Sequence, residues 1–128
     1  MYTYKRYGKT LHIYDPIYRE NIWVLLSKDK RDYINLYKKW FKEMPENIDY
    51  DHIQARYSVG ECYNDNIDIH IIWFKKYHPA TLCHEILHCT RRILSTRGID
   101  LSEYTDEAYA YYQEFLMKSI IDGFKIKG

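Results

Sequence analysis

Two histidines stand at positions i and i+4 in Cys83-His84-Glu85-Ile86-Leu87-His88-Cys89, with a glutamate directly after the first. A helix advances about 100° per residue, so i and i+4 lie about 40° apart, one turn up the same face. Two imidazoles so placed can fill two of the tetrahedral positions of a zinc ion. Glu85 falls about 100° round from His84, poorly placed as a third ligand but close enough to take a proton from a metal-held water. The pattern H-E-x-x-H is that of zinc hydrolases; it makes His84 and His88 candidate metal ligands and Glu85 the candidate general base. Chance alone would produce it in roughly two chains per hundred of this composition, so the surroundings must add a helix, an apolar back face and a third ligand.

The helix has clear ends. His78-Pro79 breaks the preceding segment, and proline suits the first position of a helix. From Pro79 to about Arg97 the period is helical, with Leu82, Cys83, Ile86, Leu87, Thr90, Ile93 and Leu94 inside an arc of roughly 140°. His84 and His88 fall clear of that arc, on the rim between core and solvent. Gly98 then closes the helix as a C′ glycine.

Other elements must carry this helix. Residues 1–28 read as β-rich: Tyr2, Tyr4 and Tyr7 interleave with polar residues, Leu11 to Tyr14 follows Gly8, and Asp15-Pro16 marks a turn. Ile22-Trp23-Val24-Leu25-Leu26 fits a buried central strand. Asp29 is an N-cap for a first helix over about 29–43, whose stripe of Tyr33, Leu36, Tyr37, Trp40 and Phe41 must lie on the sheet. Ile53 to Tyr57 reads as a strand, Gly60 to Asn66 as a turn, and Ile67 to Phe74 as a half-buried strand whose second face turns apolar towards its end. Thr105 caps a last helix over about 105–122, with Asp106 and Glu107 in its first turn, where the helix dipole favours carboxylates.

Composition narrows the remaining classes. The 128 residues suffice for one domain, 1–128, with a real core. A net charge of +1, from 19 basic and 18 acidic residues, gives no support to nucleic-acid or membrane-surface binding. Fifteen tyrosines suit strands and half-buried surfaces. The three cysteines, Cys62, Cys83 and Cys89, form no C-x-x-C pair and build neither a disulfide framework nor a cysteine zinc site; Cys83 and Cys89 read as small core residues. No signal-peptide core and no bilayer-length apolar run occurs, so a soluble, cytoplasmic protein is expected.

Glu107 is the candidate third ligand, carried on a helix that returns antiparallel to the first two ligands. His84-Glu85-Ile86-Leu87-His88 followed by Glu107-Ala108-Tyr109-Ala110-Tyr111 resembles the gluzincin class of metallopeptidases. More narrowly it is similar to small phage- and prophage-encoded peptidases, whose motif helix ends near R-G-I, here Arg97-Gly98-Ile99, and precedes an E-A-x-A-Y helix. Asp15 to Trp23 resembles the early strand region of that group. The resemblance implies Zn2+ on His84, His88 and Glu107, Glu85 as the catalytic residue, and a minimal zincin-like α+β fold. In that fold a small antiparallel or mixed sheet packs on the motif helix, with a further helix in the N-terminal half and one at the C-terminus. Thermolysin-like enzymes add an oxyanion donor from a further segment; with none expected after the last helix here, Tyr104, Tyr109, Tyr111 or a residue elsewhere would supply it. Asp100, Asp106 and Glu114 are the acids available to orient the histidines. His12, His52, His70 and His78 are expected to be structural or exposed.

The reaction implied is hydrolysis of a peptide bond, with a peptide or protein substrate paired by strand addition along Ile67–Phe74. The alternative is a zinc-containing, metallopeptidase-like binding module without general proteolytic activity.

Overall fold

The computed structural model describes residues 3–61 and 67–127. Tyr2, Cys62 and the later part of the turn expected over Gly60 to Asn66 lie outside them. The described chain is α+β: a five-stranded mixed sheet with three helices.

The strands are β1 (Tyr4–Tyr7), β2 (Thr10–Asp15), β3 (Glu20–Leu26), β4 (Ala55–Glu61) and β5 (Asp68–Phe74). In space they run β1-β2-β3-β5-β4. β1 and β2 form a hairpin whose first loop residue, Gly8, sits at φ +63, a region that a side chain disfavours. β2 and β3 are antiparallel, β3 and β5 parallel, and β5 and β4 antiparallel. The parallel pair needs a crossover, and α1 (Lys30–Phe41) begins it. Asp29 caps that helix by accepting from the Arg31 amide at 2.9 Å. α2 (Pro79–Ser95) and α3 (Asp106–Gly123) cover the other face of the sheet.

Alternation along β5 explains the two layers. Ile69, Ile71 and Trp73 meet Tyr33 and the rest of the α1 stripe, and Tyr33 stacks on Trp73 with centroids 4.8 Å apart. Ile72 and Phe74 turn the opposite way, into the cluster of Leu82, Ile86, Cys89, Ile93 and Leu116. β5 is therefore buried on both faces from Ile69 onward, more deeply than a half-buried strand.

Its position corrects one expectation. Ile67–Phe74 was assigned the substrate-pairing edge, but β5 lies inside the sheet, bonded to β3 on one side and β4 on the other. Its backbone groups are consumed by those ladders, so it has no free edge to offer. The edge strand next to α2 is β4.

α3 starts beside the C-terminal half of α2, where the Tyr109 hydroxyl donates to the Ile99 carbonyl at 2.7 Å. It finishes at Phe124, whose ring meets Phe74 at the end of β5 that leads into α2. The two helices thus run antiparallel, as their short connection requires. No helix among the described residues is long and apolar enough to cross a membrane.

Gly123 marks the tightest approach of α3 to the sheet. A Cβ there would lie 2.5 Å from Leu11 Cδ1, and Leu11 is fully buried. Alanine would gain up to about 1 kcal/mol in backbone entropy but lose about 1–3 kcal/mol to overpacking. Gly123→Ala is therefore expected to lower stability by about 1–2 kcal/mol, read as a fall in the urea midpoint at unchanged slope.

Candidate metal centre

α2 is fixed at both ends by the residues the sequence singles out. Pro79 occupies its first turn, and the His78 ring caps it, with Nδ1 3.1 Å from Thr81 Oγ1. At the far end Gly98 N donates to Ser95 O and Ile99 N to Leu94 O, each at 3.0 Å, with Gly98 at φ +77. Between the ends, Leu82, Ile86, Cys89, Thr90, Ile93 and Leu94 are buried. This face is rotated from the expected one: Cys83 and Leu87 are exposed, and Cys89 fills the core instead. The rotation follows from where cover is available, since the sheet and α3 close over the Cys89 side of the helix.

His84 and His88 remain on the rim, and their rings converge. Their Nε2 atoms lie 3.2 Å apart, with centroids at 4.8 Å and planes at 80°. Two nitrogens bound tetrahedrally at about 2.05 Å to one zinc ion stand about 3.3 Å apart. The free rings thus already hold nearly the spacing that such an ion demands. Glu85 joins them: its Oε2 is 3.8 Å from His84 Nε2, and ligand atoms of all three residues lie within 4.8 Å of one another. His84, Glu85 and His88 form a group that could hold a metal ion.

Glu85 is also tied to the sheet. Its Oε1 accepts the Tyr57 backbone N–H of β4 at 2.7 Å. Tyr57 faces Ile72 in the register, and the flanking ladder bonds fall on the other parity, as in Lys75 N to Gln54 O at 3.1 Å. The backbone groups of Ala55, Tyr57 and Val59 therefore point away from β5, to the open side where α2 lies.

No family model, no curated protein and no solved structure matches the chain. What the centre can do rests on its own chemistry.

Glu107 is exposed in the first turn of α3, about 160° on the wheel from buried Tyr109, and the group of ligand atoms within 4.8 Å of one another comprises His84, Glu85 and His88. The acid nearest in role is Asp100, which lines a cavity of about 400 Å³ together with Leu87, His88, Arg91 and Tyr109. Of the other acids weighed, Glu114 is taken up by Lys118 at 2.8 Å. Of the tyrosines, Tyr104 and Tyr111 are largely exposed, and Tyr109 reaches the cavity with its hydroxyl already donating to Ile99.

The remaining histidines have structural roles. His12 stacks on Trp23 at 4.4 Å and bonds Asn21, His52 pairs with Asp49, and His78 caps α2. His70 is completely buried, bonded through Nε2 to Glu20 Oε2 and through Nδ1 to the Tyr57 hydroxyl, each at 2.8 Å. A carboxylate only accepts, so His70 Nε2 donates to Glu20, and the Tyr57 hydroxyl meets Nδ1 on the other side of the ring. Burial pushes the Tyr57 phenol far above its ordinary pKa, so its hydroxyl stays protonated. Glu20 Oε1 in turn binds Arg97 at 2.8 Å, so Arg97 anchors the segment that leaves α2. Burial likewise raises the Cys89 thiol well above its usual range, which keeps it neutral in the core.

Sequence reasoning missed Glu20 and Tyr57. A lone glutamate at the head of an apolar strand was the available signal for Glu20; none existed for Tyr57, whose part at the centre is played by its backbone.

If the Glu85–Tyr57 bond fixes β4 against α2, its removal will register there first. Glu85→Ala is expected to cost about 1–3 kcal/mol of stability, whereas Glu85→Gln, which retains an acceptor, costs about 1 kcal/mol or less. Hydrogen exchange at the Tyr57 amide should speed up in the alanine variant alone.

Proposed function

We propose that this chain is a zinc-dependent hydrolase of the gluzincin type that cleaves peptide bonds. The observation that carries the reading is the 3.2 Å approach of His84 Nε2 to His88 Nε2 with the Glu85 carboxylate alongside. Two imidazoles at that spacing suit zinc, and the carboxylate beside them is placed for proton transfer.

His84 and His88 would hold the ion. A third protein ligand has two sources on the chain after α2. Glu107 is the one the family pattern implies, and Asp100 is the one that shares a cavity with His88. A bound zinc ion supplies Lewis acidity and lowers the pKa of its water to about 7. Glu85 then acts through Oε2, the oxygen that Tyr57 leaves free: it takes a proton there and delivers it to the leaving amine. The Tyr57 amide, by gripping Oε1, limits the carboxylate to one orientation, which lowers the entropy lost on reaching the reactive geometry. The outward backbone groups of Ala55 and Val59 offer an extended peptide the pairing positions of an added strand. β4 thus takes over the substrate-edge role first assigned to Ile67–Phe74.

One observation favours a second reading. Glu85 Oε1 is already committed to holding the sheet edge, a structural task that a metal-loaded binding module would retain without catalysis.

Metal analysis of protein purified without added zinc, followed by turnover of a mixed peptide substrate, separates these readings. The hydrolase reading expects about one zinc per chain, lost on chelation, and a fall of about 10²-fold or more in turnover for Glu85→Gln with zinc retained. Full zinc with no turnover in the unaltered protein supports the binding module; absence of zinc binding in it overturns both. Of Asp100→Asn and Glu107→Gln, the one that removes a true ligand should weaken zinc by about tenfold or more.

A further inference from the structure

Away from the metal centre, the turn after β2 and the flank of α3 enclose a cavity of about 630 Å³. Small-molecule sites commonly measure about 300–1,000 Å³. Its walls are aromatic: Tyr18, Tyr111, Tyr112 and Phe115. Tyr112 stands 5.9 Å from Tyr18 at 46° and 5.7 Å from Phe115 at 66°, so the rings present several differently tilted surfaces. Among the described lining residues Asp15 alone is charged, and it is 2% exposed.

The surroundings of Asp15 are unusual for a buried carboxylate. Its Oδ1 accepts the Ile17 and Tyr18 amides at 2.8 and 3.2 Å, and its Oδ2 accepts the Tyr112 hydroxyl at 2.9 Å. All three donors are neutral. Arg97 lies over the Tyr18 ring at 5.8 Å, but its guanidinium is bound to Glu20 at 2.8 Å, so that charge is already matched. A carboxylate offers about four acceptor positions, and here one on Oδ2 is left over. Buried charge without a counter-ion is costly, and aromatic faces attract cations.

We propose that this cavity binds a small organic cation, an ammonium group carrying an apolar body. The ammonium sits against Asp15 and completes its acceptor set, while the body lies among Tyr18, Tyr111 and Phe115. Nothing in this site depends on the metal centre.

The test titrates the full chain with 2-phenylethylammonium and, separately, with its neutral counterpart 2-phenylethanol, followed by amide proton–nitrogen NMR shifts. Expected are saturable shifts centred on Ile17, Tyr18 and Ala108, with the ammonium bound about tenfold tighter than the alcohol. Asp15→Asn retains an acceptor oxygen for the two turn amides and should reduce that preference to about twofold or less. Tyr111, with 67% of its surface exposed, can be removed without disturbing the core, and Tyr111→Ala should weaken ammonium binding by about threefold or more. Should Asp15→Asn fail to fold, the preference of the unaltered chain and the Tyr111→Ala result decide. Equal affinity for ammonium and alcohol, shifts centred elsewhere, or no saturation would overturn the proposal.

Discussion

The hydrogen bond from the Tyr57 amide to Glu85 Oε1 joins the histidine-bearing helix to the free edge of the sheet, and the arrangement of the centre depends on it. An amide donating to a carboxylate is a charge-assisted bond, worth about 1.5–3 kcal/mol net where water is partly excluded. The Glu85 side chain is only 12% exposed, so it meets that condition. The bond has two consequences of opposite kind. It satisfies an edge-strand donor that would otherwise invite another chain. It also turns one carboxylate oxygen away from the histidines and leaves the other free, dividing structural and chemical work within a single side chain.

Beneath that bond lies a buried polar chain that fixes Tyr57 from its other end. The Tyr57 hydroxyl reaches His70, His70 reaches Glu20, and Glu20 reaches Arg97. Desolvating such groups costs several kcal/mol per ion, and here each member finds a partner, which limits the loss. The chain spans the sheet from β4 through β5 to β3 and ends on the segment that leaves α2. A shift of β5 by one residue would turn His70 to the α1 face, away from both Glu20 and Tyr57. The polar chain therefore selects this register over a slipped one, which the apolar residues of β5, being buried on both faces, discriminate less sharply.

How much of this the sequence reveals depends on the range of each interaction. The ends of α2, marked by His78-Pro79 and Gly98, are local signals and lie where they are expected. So does the burial of Ile22 and Val24 in a central strand. The family resemblance implied an α+β fold with an antiparallel or mixed sheet on the motif helix, and the sheet is mixed. Strand order was not legible. Whether Ile67–Phe74 is an edge or an interior strand depends on where the crossover through α1 deposits β4, and no residue type in β5 encodes that. The wheel of α2 misassigned Cys83 and Leu87 for a related reason: periodicity gives the width of an apolar face, while neighbouring elements decide which flank is covered. Glu107 stands apart: a dipole-favoured acid in a first helical turn is equally at home facing solvent or a metal ion.

The closeness of His84 to His88 carries physical content beyond the motif. Two imidazole nitrogens at 3.2 Å cannot both present bare lone pairs, nor both carry protons, without repulsion; a proton or a metal ion shared between them relieves it. A shared proton satisfies that condition, but the His84 side chain is 69% exposed, and a neutral hydrogen bond in contact with water contributes little. A divalent ion satisfies it with two strong bonds at once. Tetrahedral ligands at about 2.05 Å stand about 3.3 Å apart and right-angled ones about 2.9 Å. The spacing of 3.2 Å lies between these values and accommodates a divalent ion of either geometry. The Tyr57 bond does not act on the two rings directly, but it holds the Glu85 side chain beside them, where its oxygen adds to the donor set that makes a metal ion in the gap more favourable than a neutral proton bridge.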